Sequence, residues 1–308
     1  MGTSERWDVV VVGAGFAGLS TAIWARRLGL CALVLEQQDR EGGQLRAVAS
    51  RIADYPGLEP LEPAALSLRL RTQAESAGAV LRLGEPVMEV DGLHRRCITG
   101  DGPLEGGAVV MATGVSPRRL GIPGEEEWLR RGLARRPSEE REWFRDKAVV
   151  VVGGGDRAAE NALLLAGVAS SVTLAFRGEE LRAQPRFIQS LRTTGQILLA
   201  PKLGLESIFL LADERLWLKG NQRGQPWEMA ADALCVYIGN RPNSDLLQGQ
   251  VTLTADESIL VDANGETSLP GIYAVGDVCT APAFQSLATA GGQAMVVAKQ
   301  IALRAQER

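Results

Sequence analysis

Two glycine runs hold the residues whose types and spacing point to chemistry. Gly13, Gly15 and Gly18 form a G-x-G-x-x-G run, with an acid, Glu36, about 20 residues further on. In such a run the first glycine permits a tight turn and the second lets backbone approach a diphosphate. The third lets helix and strand pack closely, and the acid accepts hydrogen bonds from a ribose diol. Free N–H groups and the dipole at the start of the following helix favour the anion. The expected chemistry is dinucleotide binding, with Gly13, Ala14, Gly15, Phe16, Ala17, Glu36 and Gln37 as candidate contacts. In the second run Gly153, Gly155 and Ala158 keep the pattern, but Phe176 stands where the acid would be and Arg177 follows it. An arginine at that strand end suits a 2′-phosphate, so NADPH is expected over NADH if a nicotinamide dinucleotide binds. Glu179 and Glu180 dilute that positive field, and Arg157 enters the turn, where it either pairs with a phosphate or obstructs one.

The other reactive side chains are sparse. Cys31, Cys97, Cys235 and Cys279 lie far apart and form neither a CxxC pair nor a zinc spacing, so no metal site is expected. Cys31 and Cys235 fall in the strand-like runs CALVLE and ALCVYIG, where a small buried hydrophobe is expected. The single histidine, His94, sits in the charged turn DGLHRRC and is expected at the surface.

The elements that must position these residues are visible as a repeat. Trp7 to Gln37 superimposes on Lys147 to Arg177 at a constant offset and without a gap: WDVVVVGAGFAGLSTAIWARRLGLCALVLEQ over KAVVVVGGGDRAAENALLLAGVASSVTLAFR. Each copy reads strand, glycine turn, helix, strand. Four consecutive valines fit a strand buried on both faces of a parallel sheet, and the Ala/Leu-rich stretches have helical spacing. The expected fold class is α/β, with two Rossmann-like, three-layer ββα dinucleotide-binding domains.

Composition bounds the remaining possibilities. A chain of 308 residues, 45% hydrophobic and 23% charged, is long enough for two packed domains and too ordinary for disorder. A formal net charge of -4 gives no long-range attraction for nucleic acid or an anionic membrane. No apolar run approaches bilayer length, and Arg6 does not complete an N-terminal myristoylation signal. A cytoplasmic protein is expected.

Further motifs follow in order. Gly42, Gly43, Gln44 and Leu45 precede Asp54, Tyr55, Pro56 and Gly57; Ala112, Thr113 and Gly114 come next; Gly276, Asp277 and Val278 precede Phe284, Gln285 and Ser286. With them the chain resembles the bacterial low-molecular-weight thioredoxin reductase group, class II of the pyridine nucleotide-disulfide oxidoreductases, over nearly its whole length. The resemblance implies that the GGQL, DYPG, ATG and GDV segments wrap FAD, Asp277 binding its ribityl or pyrophosphate part. Asp54 stands where the family usually has Asn. Gln285 keeps its place in an RQA segment near the isoalloxazine, while Phe284 replaces the Arg and Ser286 the Ala. Val87 joins this candidate FAD set. In the second site the resemblance adds Gly154, Asp156, Ile238 and Gly239, and its HRRxxxR motif is reduced here to Arg177 and Arg182. NADPH or a second FAD would lie there.

The resemblance also implies a domain inserted into another: residues 1–116 and 245–308 for FAD, 117–244 for the second nucleotide. Hinge crossings are expected near Thr113 to Pro117 and near Gly239 to Asn243. Where the family carries its redox-active CATC, this chain reads Arg135, Arg136, Pro137 and Ser138, so disulfide reduction by that route has no sulfur to attack or resolve. The expectation is an FAD-dependent oxidoreductase taking electrons from NADPH or a protein donor such as ferredoxin. Alternatives are a diflavin variant, a non-catalytic flavin-binding sensor, and a disulfide reductase using Cys279. A homodimer is implied, with a ferredoxin, flavodoxin or thioredoxin-like protein as partner. Arg130, Arg131, Arg135 and Arg136 either dock such a carrier or form a solvated surface with the glutamates that flank them.

Overall fold

Val9 to Val12 and Val149 to Val152 are all buried, at 0, 0, 0 and 6% exposure in both runs, as strands covered on two faces require. They begin two units of the computed structural model, which describes residues 6–48 and 51–306. The polar start before Arg6 lies outside the described residues. In chain order the elements are β1 (Arg6–Val12), α1 (Phe16–Arg27), β2 (Ala32–Glu36), α2 (Pro63–Ser76), β3 (Val80–Leu83), β4 (Glu89–Asp91), β5 (Arg96–Thr99), β6 (Gly102–Met111), β7 (Val115–Pro117), α3 (Glu125–Arg130), α4 (Pro137–Glu140), β8 (Ala148–Val152), α5 (Asp156–Ala166), β9 (Ser171–Phe176), α6 (Pro185–Thr194), β10 (Ile197–Pro201), β11 (Leu203–Leu210), β12 (Leu216–Gln222), β13 (Gln225–Ala231), β14 (Ala233–Val236), β15 (Asn240–Pro242), β16 (Ile272–Ala274) and α7 (Leu287–Gln306).

The first unit comprises Met1–Ser116 and Arg241–Arg308. Its sheet runs β3-β2-β1-β6-β5-β4, with β16 also on β6. The strands β3, β2, β1, β6 and β16 are parallel, and β5 and β4 join antiparallel. Alternation sorts the valines between two cores. Val9 and Val11 pack with α1, α2 and α7 residues such as Leu19, Leu70 and Ala298. Val10 and Val12 pack on the other face with Val90, Cys97, Leu247 and Ile259.

The second unit is Pro117–Asn240. Its parallel sheet β10-β9-β8-β14 has α5 and α6 residues on one face and the antiparallel sheet β11-β12-β13 with Trp128 on the other. This is a helix layer, a parallel sheet and a second sheet. The second boundary falls at Asn240, inside the crossing from Gly239 to Asn243. Asn243 makes three hydrogen bonds to Thr113 and Gly114, of 2.7, 2.8 and 3.0 Å, which tie the returning chain to the first unit.

The repeat holds at the level of register. Val9 pairs with Ala32 and Val149 with Val172, the same positions in each copy. Gly13 N donates to Leu35 O at 2.7 Å, and Gly153 N to Ala175 O at 2.9 Å. Cys31 corrects the sequence reading: β2 begins one residue later, and Cys31 is exposed at the sheet end, its N–H donating to Asp8 Oδ2 at 2.7 Å. Cys235 is buried in β14. No helix among the described residues is long and apolar enough to cross a membrane.

The tightest contact of the first unit is where α1 meets the turn. A Cβ on Gly18 would stand 1.9 Å from the Gly13 carbonyl oxygen and 3.3 Å from the Ala112 methyl. Gly18→Ala is therefore expected to cost about 3 kcal/mol of unfolding free energy, read as a lower urea midpoint with unchanged slope.

Candidate functional site

β1 delivers the chain into the first turn with Gly13 at φ +109°, where a Cβ would meet Ala112 O at 2.5 Å. The turn thus lies directly against the end of β6, and only glycine fits. Gly15 then caps α1 with no side-chain cap and no acid in the first turn, and a Cβ added to it would meet nothing within 4 Å. The fold leaves this space open beside the free N–H groups of a 12-residue helix, which suits a diphosphate. Glu36, 9% exposed at the end of β2, accepts from Ala14 N at 2.8 Å through one oxygen and from Gln38 N at 3.0 Å through the other. Each carboxylate oxygen keeps a lone pair for a ribose hydroxyl.

Distant segments close around this turn. Gly42 N donates to Ala14 O at 2.9 Å, and a Cβ on Gly43 would touch Gly15 Cα at 3.3 Å. The following short helix, Gly43–Ala47, buries Leu45 and brings Gln44 Nε2 within 2.5 Å of Asp277 Oδ2. Gly276, at φ +76°, brings that loop against α1, since a Cβ there would stand 2.8 Å from the Ala17 methyl. Gln285 Nε2 donates to Thr280 O at 3.1 Å and Asp277 O at 3.3 Å. Phe16 packs at a tilt against Tyr55 with ring centroids 5.9 Å apart, and Ser286 caps α7 by accepting from Thr289 N at 3.1 Å. The structure thus gathers Gly13, Ala14, Gly15, Phe16, Ala17, Glu36, Gly43, Gln44, Leu45, Ala112, Gly276, Asp277 and Gln285. Thr113 and Gly114 follow Ala112 at the end of β6 and bond to Asn243, whereas Gln37 and Asp54 are exposed and Val87 packs partly buried in the second core.

Sequence reasoning missed Gln293. From α7 its Oε1 accepts from Gly276 N at 2.7 Å, and its Nε2 donates to Thr280 Oγ1 at 3.0 Å, fixing the Asp277 loop. The only signal is a lone amide in the run GGQAMVVA.

In the second unit the same frame carries different chemistry. Gly153 lies under Tyr237 O, 2.2 Å from where its Cβ would be, and Gly155 again opens onto free space. Arg182 N donates to Gly154 O at 2.7 Å, the counterpart of the Gly42 bond. Phe176 Cβ stands 3.5 Å from a Cβ on Gly154, so an apolar side chain replaces the carboxylate. Asp156 sits in the first turn of α5, but its oxygens are engaged by Gln184 N at 2.7 Å and Nε2 at 2.6 Å. Arg157 is half-buried, Arg177 and Arg182 are exposed, and Ile238 and Gly239 follow Tyr237. Glu179 pairs with Lys202, whose hydrogen bond lowers the carboxylate pKa and offsets the negative field expected beside Arg177. Burial pushes the Tyr237 hydroxyl upward, with Arg157 and Arg136 opposing.

Arg135 and Arg136 precede α4, with Pro137 and Ser138 at its start. Arg135 pairs with Glu140 at 2.5 Å and lies 4.7 Å from the Trp143 ring centroid; Arg136 reaches Glu139 at 3.3 Å. Arg130 and Arg131 both pair with Glu127. All four arginines are thus engaged by neighbouring glutamates, and the solvated-surface reading has the geometry on its side. Cys279, half-buried, donates Sγ–H to Gly276 O at 3.3 Å. Burial, and then Asp277, push its thiol up to about 12, the opposite of an activated nucleophile.

Residues 7–294 match the family described as pyridine nucleotide-disulphide oxidoreductase. The chain is 34% identical over 288 residues to a thioredoxin reductase of Treponema pallidum, covering 92% of each chain. It is 33% identical over 300 residues to a thioredoxin reductase of Mycolicibacterium smegmatis, covering 94% of each chain. An alkyl hydroperoxide reductase component of Pseudomonas putida is 32% identical over 294 residues, covering 93% of this chain and 56% of that protein's length. The crystal structure of Lactococcus lactis thioredoxin reductase superimposes with a TM-score of 0.90 at 30% identity, covering 98% of this chain and 100% of that one.

Gly15 has an ordinary φ of -75° and open space around it. Gly15→Ala is expected to keep stability within about 0.5 kcal/mol while weakening FAD binding roughly tenfold or more, measured by flavin content after gel filtration. For the thiols, alkylation of the native chain at pH 8 is expected to take the exposed Cys31 alone. Cys97, Cys235 and Cys279 are each raised from 9.0 to about 12, so the native state favours their protonated forms. The stability this gives is complete below about pH 9 and is lost as pH rises toward about 12. Labelling of Cys279 ahead of Cys31 would contradict this.

Proposed function

The chain belongs to the pyridine nucleotide-disulphide oxidoreductase family, with thioredoxin reductase-like architecture, and on that premise we propose an FAD-dependent oxidoreductase that passes electrons from NADPH, or from a protein donor such as ferredoxin, to an acceptor other than a resident disulfide. The observation carrying this reading is an FAD-type cradle built around Gly15, Glu36 and Asp277 in a chain with no CxxC pair. FAD, when bound, supplies two-electron redox chemistry to such a site. The chain's own residues bind and orient: the α1 N-terminus holds the diphosphate, Glu36 the ribose, and the Gln44–Asp277–Gln285 cluster the more distal part of the cofactor. Cys279 is unsuited to attack a disulfide, because its buried thiol stays protonated at neutral pH.

NADPH is the favoured nicotinamide donor. Arg177 and Arg182 supply positive charge, and the partner of Glu179 is Lys202. The loss of an acid at Phe176 removes the group that would select a 2′-hydroxyl. A homodimer and a thioredoxin-type or ferredoxin-type protein partner belong to the same proposal.

The test is an anaerobic titration of the purified protein with NADPH, NADH and reduced ferredoxin, following flavin absorbance, together with a count of nucleotide released per chain. Bleaching by NADPH at lower concentration than by NADH, with about one FAD per chain, is expected. No bleaching by any of the three would overturn the enzyme reading in favour of a flavin-binding sensor, and about two FAD per chain would assign the second turn to another flavin.

A further inference from the structure

The loop that carries Asp277 continues into four consecutive exposed apolar residues, Ala281, Pro282, Ala283 and Phe284. The Phe284 ring is 72% exposed. A run of this kind is unusual on a folded surface unless something binds there. Its backbone is fixed rather than loose. Pro282 begins the short helix Pro282–Phe284, Phe284 N donates to Ala281 O at 2.9 Å, and Phe284 O accepts from Thr289 Oγ1 at 2.9 Å. The next residue, Gln285, is held to Thr280 O and Asp277 O. With its backbone already anchored, Phe284 has only two side-chain torsions to order on binding, a low cost for an aromatic anchor.

Charge selects the occupant. From Val278 to Ala298 the sequence contains no Asp, Glu, Lys, Arg or His, so an acidic or basic carrier protein finds no complementary group on this segment. The segment is continuous with the cofactor cradle through Asp277 and Gln285. We infer that Ala281 to Phe284 form the acceptor-binding edge of the site, on which a small, uncharged, planar quinone stacks against Phe284. This rests on the oxidoreductase reading above. The overall step balances as NADPH + H⁺ + quinone → NADP⁺ + hydroquinone: the nicotinamide C–H bond breaks and provides two electrons and one proton, solvent provides the second proton, and both quinone carbonyls become hydroxyls.

Two measurements test it on the protein as purified. Equilibrium dialysis with 1,4-naphthoquinone is expected to show saturable binding, weakened about tenfold in Phe284→Ser and kept within about twofold in Phe284→Trp. Because Phe284 is largely exposed, these substitutions leave the fold intact, which thermal melting checks. Separately, the protein is reduced with stoichiometric dithionite and reoxidised by 1,4-naphthoquinone or by ferricyanide. The ratio of the two rates is expected to fall about tenfold in Phe284→Ser. Equal naphthoquinone affinity in wild type and Phe284→Ser, no binding to wild type, or an unchanged rate ratio would each overturn the inference. Dithionite bypasses the natural donor, so a failure of NADPH to bleach the flavin would count against the proposed donor and leave this result to be read independently.

Discussion

The close approach of a strand end, a glycine turn and a helix start is the constraint on which both units depend. At Gly13 the neighbouring carbonyl of Ala112 occupies the space of a side chain, and at Gly153 the carbonyl of Tyr237 does the same. Each turn is thereby wedged between the end of its own sheet and the first turn of its helix. The wedge fixes where the helix N-terminus points, and so where free N–H groups meet solvent. Gly15 and Gly155 are different in kind: nothing in the fold requires either to lack a side chain. Their openness is what a ligand approaching the turn would require, whereas the crowding at Gly13 and Gly18 is explained by the fold alone.

From this shared frame the two sites diverge through their second strands and covering loops. In the first, Glu36 braces the turn by taking the Ala14 N–H, and Gly42 takes the Ala14 carbonyl, so both backbone groups of one buried residue are satisfied. Gln44, Asp277 and Gln293 then tie the sequence-distant loops over it. In the second, Phe176 and Arg182 take those places, and Asp156 is turned aside to Gln184. One turn has an acid beside its open helix start, and the other is edged by arginines.

Much of this was legible because it is local. The valine runs, the glycine spacing and Glu36 lie within one βαβ unit, where periodicity and turn chemistry report directly on structure. What the sequence hid is either a one-residue boundary or a long-range contact. Cys31 reads as strand interior, yet β2, buried throughout, starts after it, so a one-residue shift of the boundary takes the thiol from core to solvent. Asn243 bonds to Thr113 and Gly114 across the length of the inserted unit, which no local pattern encodes. Gln44 and Asp277 are 233 residues apart, and Lys202 offsets Glu179 from the turn between β10 and β11. Family resemblance supplied the motif that contains Asp277 but not the hydrogen bonds that hold it.

The absence of a cysteine pair has a physical consequence beyond the loss of one reaction. A resident disulfide carries electrons away from a cofactor on the protein's own chain; on the reading proposed above the acceptor would instead reach the site itself, and the surface it meets would act as the filter. The cysteine nearest the cradle in sequence, Cys279, is turned to the Gly276 carbonyl and held protonated, so it offers no relay. Arg135 and Arg136, in the segment before α4, are engaged by Glu140, Glu139 and Trp143. The uncharged stretch after Asp277 is a part of the first unit where the Asp277 loop runs into open surface, and its chemistry is apolar. On the reading proposed above, selectivity for the acceptor would arise from stacking and desolvation rather than from paired charges, which favours small neutral acceptors and leaves the acceptor step, unlike NADPH binding, insensitive to ionic strength.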